Sequence, residues 1–179
     1  SKIAMSWYSK VVWAEGMFLQ PQHFQQQDRY HEALVRQSCD SLRPYGWGVA
    51  HLALDREALA LGRIAITAAR GLLPDGTPFN IPDHDPPPVP LEVGADARNI
   101  RVMLALPLRR AGMADVERGD QTDTAARYRA VAGEVRDNNV DTANNSTFIE
   151  VGEPRLRLFL DTRDFGGYTT IGVARVLEK

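Results

Sequence analysis

The chain has 179 residues, of which 44% are hydrophobic and 25% charged, and its formal net charge is −2. That length and composition suit one globular domain, or one domain with an appendage, with enough apolar residues for a sizeable core. The charge balance argues against nucleic acid as the main partner, since neutralising phosphates normally needs a basic face. The single cysteine, Cys39, rules out an internal disulfide and a cysteine-based zinc site. No apolar run approaches a membrane span, and the N-terminus lacks the charged and apolar regions of a secretory signal. A cytoplasmic protein is the expectation.

In chain order, the first distinctive segment runs from Val11 to Gln27. It places Trp13, Met17, Phe18, Leu19 and Phe24 around Gly16 and Pro21 and then passes into a glutamine tract. Two apolar triplets, Val11-Val12-Trp13 and Met17-Phe18-Leu19, flank Ala14-Glu15-Gly16 with neither a strand nor a helix period. Trp and Phe are residue types that anchor interfaces. The pattern fits docking onto a partner and packing on the chain's own sandwich equally well.

From Pro21 to Leu42 the spacing predicts a helix. Phe24, His31, Leu34, Val35, Cys39 and Leu42 recur at three- and four-residue steps, and Pro21 suits the first turn. Arg43-Pro44-Tyr45-Gly46 stops it. The opposite face, with Gln25, Gln26, Arg29, Glu32 and Arg36, is expected to meet solvent or a polar partner.

Beyond Gly46 the period changes to two. Gly46–Leu54 reads as a strand with Trp47, Val49 and His51 on one side, and Arg63–Arg70 as another with Ile64, Ile66 and Ala68 inward. Pro74-Asp75-Gly76-Thr77 is a strong hairpin turn, and Phe79 and Ile81 begin the return arm. Residues 82–90, IPDHDPPPVP counted from Ile81, are expected to be extended because proline fixes φ and restricts the residue before it. Asn99–Leu108 reads as a buried strand. Residues 109–126 are poor in large apolar side chains and are expected to be disordered. Further strands are predicted near Tyr128–Arg136, Phe148–Asp161 with a break at Gly152–Pro154, and Tyr168–Leu177. Leu156, Leu158 and Leu160 alternate with Arg155, Arg157 and Phe159. The fold class expected is mainly β: a β-sandwich of antiparallel strands with an N-terminal arm (1–20), one α-helix (21–42) packed on the sandwich, and a sandwich domain over 43–179.

Catalytic constellations are scarce. His23 and His31 lie about 12 Å apart along one helix, too far to share a zinc ion. Asp83-His84-Asp85 could support acid–base or metal chemistry, but neighbours in an extended loop point in alternating directions. Cys39 lies mid-helix among apolar neighbours, no G-x-S-x-G or P-loop occurs, and Gly46-x-Gly48 lacks a third glycine. The reading is non-enzymatic, with no cofactor and no metal. The Pro86-Pro87-Pro88 run reads either as a stiff connection or as a polyproline ligand.

One longer pattern is familiar. Trp13-x-Glu15-Gly16-x-Phe18-Leu19-x-Pro21-Gln22-x-Phe24-Gln25-Gln26 resembles the opening of the TssK family of type VI secretion baseplate proteins. Pro44-x-Gly46-Trp47-Gly48, Pro74-Asp75-Gly76-Thr77 and Leu104-Ala105-Leu106-Pro107 follow in the same order. The resemblance implies a homotrimer whose N-terminal shoulder is a β-sandwich similar to the shoulder of siphophage receptor-binding proteins. It implies that the shoulder binds the TssF–TssG wedge, and that a neck and a C-terminal head lie beyond this chain. The head would contact the membrane complex. The implied site is cytoplasmic, at the baseplate beneath the inner membrane, and the partner-binding residues expected are Trp13, Phe18, Leu19, Pro21 and Phe24. The alternative is a small-molecule or glycan-binding sandwich with Asp83-His84-Asp85 as its rim.

Overall fold

The computed structural model describes residues 7–119, 125–139, 145–162 and 164–178. Its chain divides into two compact units, one ending at Gly46 and one beginning at Trp47. The first unit contains the arm and helix α1 (Pro21–Leu42). The second contains, in order, β1 (Gly48–Leu54), α2 (Arg56–Ala60), β2 (Arg63–Ile64), β3 (Ile66–Leu72), β4 (Pro78–Ile81), β5 (Leu91–Glu92), β6 (Arg98–Pro107), β7 (Val116–Glu117), β8 (Tyr128–Arg136), β9 (Ser146–Pro154), β10 (Arg157–Leu160) and β11 (Tyr168–Glu178).

Two three-stranded antiparallel sheets, ordered β1-β3-β4 and β10-β6-β11, share one apolar core. Ile66, Ala69, Phe79 and Ile81 come from the first sheet. Val102, Leu104, Leu106, Leu158, Ile171 and Val173 come from the second. The near-continuous apolar run of β6 suits a central strand flanked on both edges, and Val102, Leu104, Ala105 and Leu106 are fully buried. Burying such side chains contributes about 1.5–3 kcal/mol each, which makes this layer the main source of stability. The expected mainly β, antiparallel architecture is therefore observed, with β7 the exception: it pairs with β8 in parallel.

Bulges account for the residues whose facing was misread. In β1, Val49 pairs with Gly71 and His51 with Arg70, so Ala50 is an extra residue. The phase then flips: Val49, Leu52 and Leu54 pack on the core, while His51 and Trp47 are exposed. In β3, Ala53 opposes Ala68 and Leu54 opposes Ile66, leaving Thr67 unpaired, with its Oγ1 donating to Ala53 O (3.1 Å). Ala69 rather than Ala68 consequently faces inward beside Ile66.

Three other expectations are corrected. Residues 82–85 form a turn rather than an extended run: His84 and Asp85 N–H groups both donate to Asn80 O, and Asp85 Oδ2 accepts Asn80 N–H at 2.8 Å. The segment 109–126 contains β7 and an Arg109–Asp115 ion pair (2.9 Å), while its residues 120–124 lie outside the described ones. The break between β9 and β10 falls at Arg155–Leu156. Helix α2 was not anticipated, although Asp55 carries its signal: Oδ1 accepts the N–H groups of Glu57 (2.9 Å) and Ala58 (3.1 Å).

The predicted hairpin turn is present. Leu73 N–H donates to Thr77 O, Gly76 takes φ 84°, and Asp75 Oδ1 accepts Thr77 N–H at 3.0 Å. This turn is also tied down from outside. The guanidinium of Arg127, 6% exposed, donates from Nη2 to Asp75 Oδ2 (2.9 Å) and to Thr77 Oγ1, and from Nη1 to the Pro107 carbonyl (2.7 Å). One side chain thus joins the β3–β4 turn, the end of β6 and the start of β8.

Two predictions follow from this packing. A Cβ on Gly71 would lie 2.2 Å from Gly48 O and 2.7 Å from the Phe79 ring, whereas one on Gly172 meets nothing nearer than Met103 Sδ at 3.9 Å. Gly71→Ala should lose about 2–3 kcal/mol by urea unfolding, and Gly172→Ala should stay within about 0.5 kcal/mol of the parent chain. Arg127→Met should cost about 3–5 kcal/mol because it strands a buried carboxylate. Adding Asp75→Asn should recover part of that loss, a double-mutant cycle that checks the pairing.

Candidate functional site: the arm and helix α1

The arm and α1 form the unit that carries the expected binding residues. Helix α1 starts after Gln20, whose φ and ψ of −132° and 156° are extended. Pro21 occupies the first turn, where a missing N–H costs nothing. His23 takes the place that a Glu or Gln fills in a capping box: its Nδ1 accepts the Gln20 N–H at 3.1 Å. At the other end the Arg43 N–H bonds to Cys39 O (2.9 Å), and Pro44 prevents continuation.

The arm turns at Ala14–Met17, where Met17 N–H bonds to Ala14 O (3.3 Å) and Gly16 takes φ 76°. A positive φ at the third position of a turn is what favours glycine there. Glu15-Gly16 is therefore a structural interruption between the two apolar triplets, and it explains their lack of period. The turn brings Trp13 against the first helical turn. Its ring is tilted over His23 at 6.2 Å and over Phe24 at 6.1 Å, centroid to centroid, within the range where aromatic pairs attract.

The polar helix face, expected to meet solvent or a polar partner, holds the arm at Trp7 and Ser9 through Gln26 and Arg29, while Gln25, Glu32 and Arg36 are exposed. Gln26 Nε2 donates to the carbonyls of Trp7 (3.2 Å) and Ser9 (2.6 Å). Gln26 Oε1 accepts from Arg29 Nη2 at 2.6 Å, and the Arg29 guanidinium lies 4.3 Å over the Trp7 ring. Trp7, Gln26 and Arg29 were missed as a group. The signal that could have found them is a tryptophan followed nineteen and twenty-two residues later by two polar residues on one helix face.

The five expected binding residues share one unit, and the structure treats them differently. Trp13 is half covered by His23 and Phe24, with 46% of its surface exposed. Phe18 is 83% exposed, and Leu19, Pro21 and Phe24 are exposed as well. Val12, which was not singled out, is 80% exposed. Along α1 the apolar stripe is bare: Leu34, Val35 and Leu42 are exposed and no residue of the helix is buried. His31 and Cys39, expected among apolar neighbours, are exposed too, with His31 Nε2 3.0 Å from Gln27 Nε2. Among the described residues the arm meets the helix along its first turns and one polar side, and the stripe residues Leu34, Val35 and Leu42 are exposed. Large apolar side chains clustered at a surface mark an interaction site.

Among the described residues no three His, Cys, Asp or Glu side chains are grouped to hold a metal ion. Asp83 and His84 are exposed, and Asp85 is engaged with the backbone of its own turn. No described helix is long and apolar enough to cross a membrane.

Comparison with known proteins identifies the relatives of this chain. The family model described as "Bacterial Type VI secretion, VC_A0110, EvfL, ImpJ, VasE" matches residues 23–179. The type VI secretion system baseplate component TssK1 of Pseudomonas aeruginosa is 48% identical over 175 residues, covering 98% of this chain and 39% of that protein. A crystal structure of TssK superposes with a TM-score of 0.88 at 41% identity, over 96% of this chain and 39% of that one. A chain of the TssK-TssF-TssG baseplate subcomplex shares the fold, with a TM-score of 0.83 at 24% identity over 95% of this chain and 56% of that one. The chain therefore spans well under half the length of the curated relative it matches. With a family model covering most of its residues and a relative this similar along nearly its whole length, the chain belongs to the bacterial type VI secretion family of VasE and ImpJ and is similar to TssK1.

Proposed function

We propose that this chain is the attachment domain of a type VI secretion baseplate adaptor, and that it binds a wedge made of TssF and TssG. The observation that carries this reading is the bare apolar surface of the arm and α1 in a member of this family: Phe18, Leu19, Phe24 and Val12 exposed together. Relatedness to a baseplate component supplies the assembly, and the subcomplex that contains a chain of the same fold supplies the partner proteins. The role is structural rather than catalytic, and it places the chain in the cytoplasm, at the baseplate beneath the inner membrane. In a longer protein the same domain would sit in a homotrimer whose remaining parts reach the membrane complex.

Phe18, Leu19, Pro21 and Phe24 act as the anchors, filling apolar pockets on the wedge. Trp13 has a double role. Its contacts with His23 and Phe24 hold the arm against the helix, so it presents the anchors as well as being half available itself. Pre-ordering an arm in this way lowers the entropic cost of docking.

Phe18 is the cleanest probe because so little of it is engaged within the chain. Phe18→Ala should weaken binding to purified TssF–TssG by about 2–4 kcal/mol if it is a hot spot, measured by calorimetry, with the melting temperature unchanged. Leu19→Ala should add to the loss. Wild-type affinity in the double variant would remove the arm from the interface.

A further inference from the structure

The side chain of Gln26 spends its whole hydrogen-bonding capacity inside the chain. A primary amide has two N–H donors and two oxygen lone pairs. Nε2 donates to the carbonyls of Trp7 (3.2 Å) and Ser9 (2.6 Å), and Oε1 accepts from Arg29 Nε (3.2 Å) and Nη2 (2.6 Å). A guanidinium has no acceptor, so the two ends of this amide are not interchangeable. The same guanidinium lies 4.3 Å from the centroid of the Trp7 ring. Trp7 is thus held twice, by its carbonyl and by its ring.

These contacts close a loop. Trp7 and Gln26 are nineteen residues apart, and between them lie the Ala14–Met17 turn and the exposed Phe18, Leu19 and Phe24. The ring of Trp13 over His23 and Phe24 is a second tie, partway along that loop. Each tie removes conformational freedom from the segment that carries the apolar anchors. Glutamate has the shape of glutamine and nearly its helix propensity, so what glutamine supplies at position 26 is the pair of N–H donors.

We propose that Gln26 is the positioning residue of the arm. It makes no contact with the partner itself; it sets the fraction of molecules in which the arm lies on α1 with Phe18 and Leu19 presented. This rests on the wedge-binding reading above and names what controls that site. A partner that docks only on the ordered arm binds with an apparent dissociation constant raised by the inverse of the ordered fraction. Loss of order therefore slows association, whereas loss of a direct contact speeds dissociation.

Gln26→Glu is the discriminating variant. It keeps the shape and the Arg29 partner, and it sets an oxygen against two carbonyls in place of two donors. In the free chain, amide exchange around Ser9–Met17 should quicken while the far-ultraviolet circular dichroism stays unchanged. Affinity for purified TssF–TssG should fall about tenfold, which corresponds to about 1.4 kcal/mol. That loss should lie in the association rate, with the dissociation rate within about twofold of the parent chain. Unchanged affinity in Gln26→Glu, or a loss carried by faster dissociation with arm exchange unaltered, would overturn the positioning role and leave wedge binding intact. Failure of the unaltered chain to bind TssF–TssG would overturn both.

Discussion

The fold depends on one aliphatic layer, held between the β1-β3-β4 and β10-β6-β11 sheets. Val102, Leu104 and Leu106 on the central strand β6 meet Ile66, Phe79 and Ile81 across it, and all are removed from water. The hydrophobic effect is non-directional, so this layer explains why the sheets come together but not how they are aligned. Alignment comes from directional contacts at its end. Arg127 has three acceptors from two different elements within reach, and Asp75 N–H reaches Thr169 on β11 (3.3 Å). A buried guanidinium is tolerated there because its charge is paired and its donors are directed at oxygens.

The arm and α1 follow a different rule. They carry large apolar residues, yet contacts that join them include polar and aromatic ones: Gln26 on two carbonyls, Arg29 on Trp7, Trp13 on His23 and Phe24. Such contacts set the course of the arm with little apolar burial. The side chains that would repay burial, Phe18 and the Leu34–Val35 stretch among them, keep their surface exposed. A unit built this way presents apolar surface whose burial on association would be favourable.

Helix α1 was legible to the residue at both ends, because Pro21 and the Arg43-Pro44 stop are local signals that need no tertiary information. The same holds for the Asp75-Gly76 turn and for the run of β6. The facing of β1 and β3 was not legible. A bulge at Ala50 or Thr67 exists only relative to the strand opposite, and one extra residue reverses every side chain beyond it. Strand β7 was missed for a related reason: two residues pairing in parallel with β8 leave no periodic trace. In the candidate site, the residue types and their aperiodicity were visible, but the contact of Trp13 with its own helix was not. The pattern had allowed a partner or the sandwich, and neither alternative included the first turn of α1.

The sequence by itself determined where α1 starts and stops, where the longer strands run, the absence of a recognisable catalytic motif, and through one long motif the family. These are local properties: propensity, capping, proline and glycine geometry, and side-chain identity act over a few residues. Tertiary structure alone decided which face of each strand is inside, that Arg127 is a buried clamp rather than a surface charge, and that the polar side of α1 holds the arm at Trp7 and Ser9. It also decided that Phe18 is bare while Trp13 is half covered. Each of those depends on what lies opposite in space, and no spacing along the chain records it.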